Sequence, residues 1–65
     1  MERSDIKAKW AHLVPGAREQ WSLLTGEDLD AVAGDRERLI ALIQDRYGRS
    51  RAAAEREVDD WMERL

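Results

Sequence analysis

The chain has 65 residues and a mass of 7.5 kDa, and 38% of its residues are charged, with a net charge of −3. It contains no cysteine and one histidine, which excludes a disulfide framework, a cysteine nucleophile and a thiolate or multi-histidine metal site. Its length predicts one small domain over residues 1–65, and no apolar run is long enough to span a membrane.

The first part of the chain carries an apolar stripe with steps of three and four residues, which is typical of an amphipathic helix. Its members are Ile6, Trp10, Leu13, Ala17, Trp21 and Leu24. We expect Ser4 or Asp5 to cap the start of this helix. Pro15 removes a helical hydrogen bond, so the sequence predicts either a kinked long helix or two short helices that meet at Val14–Pro15.

A short helix is predicted next, because Thr25 and Asp28 have the spacing of a capping box. Leu29 and Val32 would form the apolar face of this helix, which we expect to stop at Gly34.

Two longer helices complete the chain. Asp35 is the expected cap of a helix that runs to about Tyr47, and Gly48 is the expected end, where a left-handed residue is least costly. Ser50 is the expected cap of the last helix. No segment alternates as a strand does, so the sequence predicts an all-α fold, a compact bundle of four to five short helices.

The three tryptophans all lie in phase with the apolar stripes. Large side chains are otherwise scarce in this chain, and each tryptophan can bury about 200 Å². We therefore favour a core role over the alternative, a platform for stacking bases or gripping a partner. The predicted structural core is Trp10, Trp21, Leu29, Leu39, Ile43, Tyr47, Val58 and Trp61.

No set of residues has the pattern of a catalytic or metal site. His12 has no neighbouring nucleophile or orienting carboxylate in the sequence, so we expect it to face solvent or to lie at the boundary of the apolar stripe. The acidic residues Glu27, Asp28 and Asp30 lack the ligand spacing of a calcium loop and fit a helix start better. We expect no enzyme activity, no cofactor and no metal. The N-terminus lacks a secretory signal, which favours a cytoplasmic protein.

The predicted partner-binding surface consists of four arginines in the second half of the chain, namely Arg36, Arg46, Arg49 and Arg51. Nucleic-acid binding is the disfavoured interpretation, because acidic residues are interleaved with these arginines and can pair with them. Self-association is another alternative, since a small core favours oligomers. The partner, whether another protein or a second copy, is not identified by the sequence.

The ordered spacing of these features resembles the CsbD-like family of small bacterial proteins, from Asp5 to Trp61. The strongest marks are the three tryptophans and the triplet Arg46-Tyr47-Gly48. The others are Lys9, Leu13, Glu19, Gln20, Leu24, Thr25, Asp28, Leu29, Gly34, Arg36, Glu37, Leu39, Ile43, Ala54, Glu55, Val58 and Asp59.

The resemblance implies a bundle of packed helical hairpins and a role as a general stress-response protein, with no catalytic residues to carry over. The chain departs from the family pattern at residues 14–16, where lysines are common. If the lysines of the family bind an anionic partner, this departure implies that the present chain binds it less well than a typical member.

Overall fold

A computed structural model describes residues 3–65, with side chains from residue 5 onward, and confirms the all-α prediction. Within that range there are five helices and no strand. The helices are α1 (Arg3–Ala8), α2 (Trp10–Gln20), α3 (Gly26–Val32), α4 (Arg36–Tyr47) and α5 (Arg51–Glu63). The most extensive helix pair is α4 with α5, and α3 packs against both α2 and α4.

The core is built from one apolar face of each helix together with the loop between α2 and α3. Its buried side chains are Ile6, Trp10, Ala17, Trp21, Leu24, Leu29, Val32, Leu39, Ile40, Ile43, Ala54, Val58 and Trp61. This set contains seven of the eight residues predicted for the core. The exception is Tyr47, which is only partly buried at the edge of the core.

The tryptophans lie together inside this core. Trp61 meets Trp10 edge-on with ring centroids 6.2 Å apart, and it meets Trp21 at 5.3 Å. The indole Nε1 of Trp10 donates a 2.7 Å hydrogen bond to the backbone oxygen of Leu29. Because a buried N–H without a partner is costly, this bond lets α2 bury an indole against α3.

The three predicted caps of the later helices are present. Thr25 Oγ1 accepts from Asp28 N, and Asp28 Oδ2 accepts from Thr25 N, which completes the capping box of α3. The Asp35 side chain accepts from two amides of α4, and Ser50 Oγ accepts from Ala53 N. Gly48 follows α4 with φ of 64°, as predicted.

The end of α3 differs slightly from the prediction. The helix ends at Val32, and Ala33 takes the left-handed cap position with φ of 53° before Gly34 follows with φ of 78°. A Cβ on Gly34 would lie 2.6 Å from the Cα of Lys7, so this turn sits directly against the backbone of α1.

The predicted alternative of two short helices that meet at Val14–Pro15 is wrong. Pro15 lies inside α2, and the chain breaks instead at Lys9, between α1 and α2. Pro15 is tolerated because the carbonyl it leaves without a helical donor belongs to Ala11, an exposed residue that water can reach. The predicted cap is also wrong, because α1 already includes Arg3 and therefore contains Ser4 and Asp5.

None of the helices over residues 3–65 combines the length and the apolar character that crossing a membrane requires.

Candidate functional site

Arg36, at the start of α4, forms a two-pronged contact with α5. Its Nε lies 3.0 Å from Asp59 Oδ1, and its Nη2 lies 3.1 Å from Asp59 Oδ2. Nη1 reaches Glu37 at 3.2 Å, and the side chain is only 17% exposed. The hydrogen bonds to Asp59 raise the pKa of Arg36 above its already high usual value. This guanidinium therefore ties the two largest helices together.

Arg51, at the start of α5, pairs with two carboxylates. Its Nε lies 2.7 Å from Glu55 Oε1, and its Nη2 contacts Glu37. The hydrogen bond from Arg51 lowers the pKa of Glu37. Because Glu37 also contacts Arg36, these two arginines are linked through one shared carboxylate.

Arg46, near the end of α4, binds a different helix. Its Nη2 lies 3.0 Å from Asp28 Oδ1 on α3, and its Nη1 contacts Asp45. The Thr25 backbone N–H and the Arg46 guanidinium lower the pKa of Asp28. One carboxylate thus caps α3 and holds α3 to α4.

Arg49 belongs to a network that joins two loops. Its guanidinium carbon lies 4.6 Å from the centre of the Tyr47 ring, and its Nη1 contacts Glu57. Glu57 Oε1 also accepts a 3.3 Å hydrogen bond from the indole Nε1 of Trp21. Tyr47 Oη in turn accepts from the backbone N–H of Leu23 at 3.1 Å.

The structure does not bring the four predicted arginines together as one free cationic surface. Arg36 and Arg51 meet through Glu37, whereas Arg46 is engaged with α3 and Arg49 with Glu57. Each guanidinium has at least one carboxylate partner within the chain. The role of these four arginines in binding a partner stays a prediction.

Part of this pairing between arginines and carboxylates is predictable from the sequence. Among the interleaved acids, Glu37, Asp45, Glu55 and Glu57 do contact the arginines, but only Arg51–Glu55 has the helical spacing of four residues. The bidentate partner Asp59 lies 23 residues from Arg36, and no local signal links the two.

The remaining candidates show no convergent chemistry. His12 is exposed, as expected. No group of three or more His, Cys, Asp or Glu side chains across the described part of the chain is arranged to hold a metal ion. An open groove of about 380 Å³ runs between α3 and α4, and its lining includes Val32, Leu42 and Arg46.

The sequence of the chain is similar to those of several bacterial proteins that share one family name. A UPF0337 protein of Pseudomonas aeruginosa is 43% identical over 65 residues, which is 100% of each chain. A UPF0337 protein of Pectobacterium atrosepticum is 39% identical over 61 residues, covering 94% of this chain and 88% of the relative. The UPF0337 protein YjbJ of Escherichia coli K12 is 36% identical over 61 residues, with the same coverage. The chain belongs to the UPF0337 (CsbD-like) family.

Family membership confirms the resemblance, and the names of these relatives state a family without an activity. No protein-family model matches the chain, and no solved structure matches it.

Each residue of the triplet Arg46-Tyr47-Gly48 has a structural role in this UPF0337 protein. Arg46 holds α3, Tyr47 holds the loop before α3, and Gly48 ends α4 in a left-handed conformation.

Proposed function

We propose that this UPF0337 protein is a non-enzymatic general stress-response protein of the bacterial cytoplasm. The observation that carries the proposal is the full-length similarity to bacterial UPF0337 proteins. The stress-response role is what the resemblance to the CsbD-like family implies. The proposal assigns the protein no substrate and no catalytic residue.

The side-chain contacts support a role that depends on the folded domain. The arginines that are most prominent in the sequence pair with carboxylates across helix boundaries. The tryptophans pack in the core, where Trp10 and Trp21 also donate hydrogen bonds. Groups used in this way stabilise the fold and are not oriented towards a common substrate position.

A deletion strain of the source bacterium tests the proposal. We expect lower survival than the parent strain under at least one of osmotic, heat and stationary-phase stress, and higher transcript levels under that stress. Expression of the wild-type chain should restore survival, whereas Trp21→Ala, which removes a core side chain, should not. Unchanged transcript and unchanged survival under all three stresses would contradict the proposed role.

A further inference from the structure

A methionine lines the pocket that separates the end of α5 from α1. The chain has two methionines, and Met62 is the one that lies within the described residues. Its side chain is partly buried and packs against the core. The pocket has a volume of about 330 Å³, and its wall also includes Ile6 and Lys7 of α1. The thioether of Met62 therefore borders the same space as the first helix.

Other side chains that oxidants attack are absent or shielded in this molecule. Cysteine and methionine are the side chains most open to oxidation by peroxides, and the chain contains no cysteine. The three tryptophans are at most 7% exposed. Among the described residues, the side chain most open to a small oxidant is therefore Met62, on the wall of its pocket.

We propose that Met62 is an oxidation site, and that its sulfoxide weakens the packing of α1 on the rest of the domain. The oxidant is a hydroperoxide. The sulfur donates a lone pair to the terminal oxygen of the peroxide, so that an S–O bond forms as the O–O bond breaks. The proton of the transferred oxygen passes to the other oxygen, which leaves as water or an alcohol. The thioether loses two electrons and the peroxide gains them.

The sulfoxide would alter a wall on which α1 depends. Ile6 is 1% exposed and is the one buried side chain among residues 5–8. Oxidation turns the apolar thioether into a strongly polar group, which in this pocket must either lose hydration or admit water. Because α1 buries so little else, it is the helix that this cost loosens first.

Amide hydrogen exchange of the full chain tests the proposal. The Lys9 amide reports on α1, because it donates a 2.9 Å hydrogen bond to the backbone oxygen of Asp5. After treatment with dilute hydrogen peroxide, we expect one added oxygen on Met62 and Lys9 exchange that is at least about 5-fold faster. Methionine sulfoxide reductases should restore the slow exchange. No added oxygen on Met62, or an oxidised Met62 with unchanged Lys9 exchange, would overturn the proposal.

Two variants separate the chemistry of the sulfur from its position. Met62→Leu keeps an apolar side chain of similar volume, so peroxide should leave its Lys9 exchange unchanged. Met62→Gln introduces a polar group without an oxidant and should accelerate Lys9 exchange in the same direction as the sulfoxide. The Ala54 amide, bonded to the backbone oxygen of Ser50 at 3.0 Å, monitors the other end of α5. Faster exchange at Ala54 with none at Lys9, or a peroxide effect that persists in Met62→Leu, would contradict the role of Met62.

Discussion

Tyr47 lies at the end of α4 with its ring beneath Arg49 and its hydroxyl accepting a hydrogen bond from the Leu23 backbone. A phenol placed this way keeps its polar end near solvent, which explains why the helical spacing of position 47 did not lead to full burial. Trp21 has the same spacing but is 1% exposed and contacts the Trp61 ring. The two aromatic residues therefore contribute to stability by different means.

We predict that Trp21→Ala lowers the free energy of unfolding by at least about 3 kcal/mol, as expected for a large core aromatic. Tyr47→Phe should cost only about 1 kcal/mol, because it removes one hydrogen bond and keeps the ring. Urea denaturation followed by far-UV circular dichroism measures both. A Trp21→Ala variant with a near-native midpoint would show that this indole is not a core side chain.

Asp28 makes stability depend on acid pH. Because its pKa is lowered in the folded state, its contribution is fully present above the unfolded pKa and is lost as the pH falls through the folded value. We therefore predict that the wild-type protein loses stability below about pH 4 more steeply than Asp28→Asn. Urea midpoints measured from neutral to acid pH test the difference.

Asp60→Asn is the control for this experiment. Asp60 is exposed on α5 and forms no hydrogen bond or ion pair among the described residues. Its replacement controls for the loss of one negative charge without the loss of a helix cap. Parallel slopes for the wild-type protein and Asp28→Asn would contradict the role given to Asp28.

At the scale of the helices, two turns require a left-handed residue, but only one of them is crowded. Gly34 has φ of 78° and lies against Lys7, whereas Gly48 has φ of 64° and open space where a Cβ would stand. The α3–α4 turn is therefore constrained by both backbone conformation and packing, and the α4–α5 turn by conformation alone.

We predict that Gly48→Ala costs about 1 kcal/mol of stability, and that Gly34→Ala costs clearly more because α1 must also move. Gly16→Ala should instead stabilise the protein by up to about 1 kcal/mol, since position 16 lies inside α2 with open space around it. Thermal unfolding of the three variants measures the order of their stabilities. Equal losses for the two turn variants would show that α1 does not press on Gly34.

Features set by neighbouring residues were predictable from the sequence, and features set by distant contacts were not. The capping box at Thr25 and the end of α4 at Gly48 depend on side chains within a few positions, so local rules found them. The break at Lys9 has no glycine, proline or capping side-chain hydrogen bond beside it that a local rule could use. Likewise, no spacing rule pairs Arg36 with Asp59.

At the scale of the whole molecule, the net charge is −3, and the four arginines of the predicted surface each pair with a carboxylate of the chain. We predict no saturable binding of labelled DNA or RNA at low salt up to roughly 50 µM protein, which lies within the usual range of non-specific affinity. Fluorescence anisotropy measures this. Saturable binding that weakens with salt, and that Arg46→Gln reduces, would contradict the prediction.

The arginines most prominent in the sequence hold the helices of the fold to one another. A double-mutant cycle on Arg36→Gln and Asp59→Asn, measured by urea denaturation, tests this role most directly. Because Arg36 is largely shielded and makes two parallel hydrogen bonds to Asp59, we predict a coupling free energy of roughly 0.5–1 kcal/mol. Strictly additive effects of the two substitutions would contradict the claim.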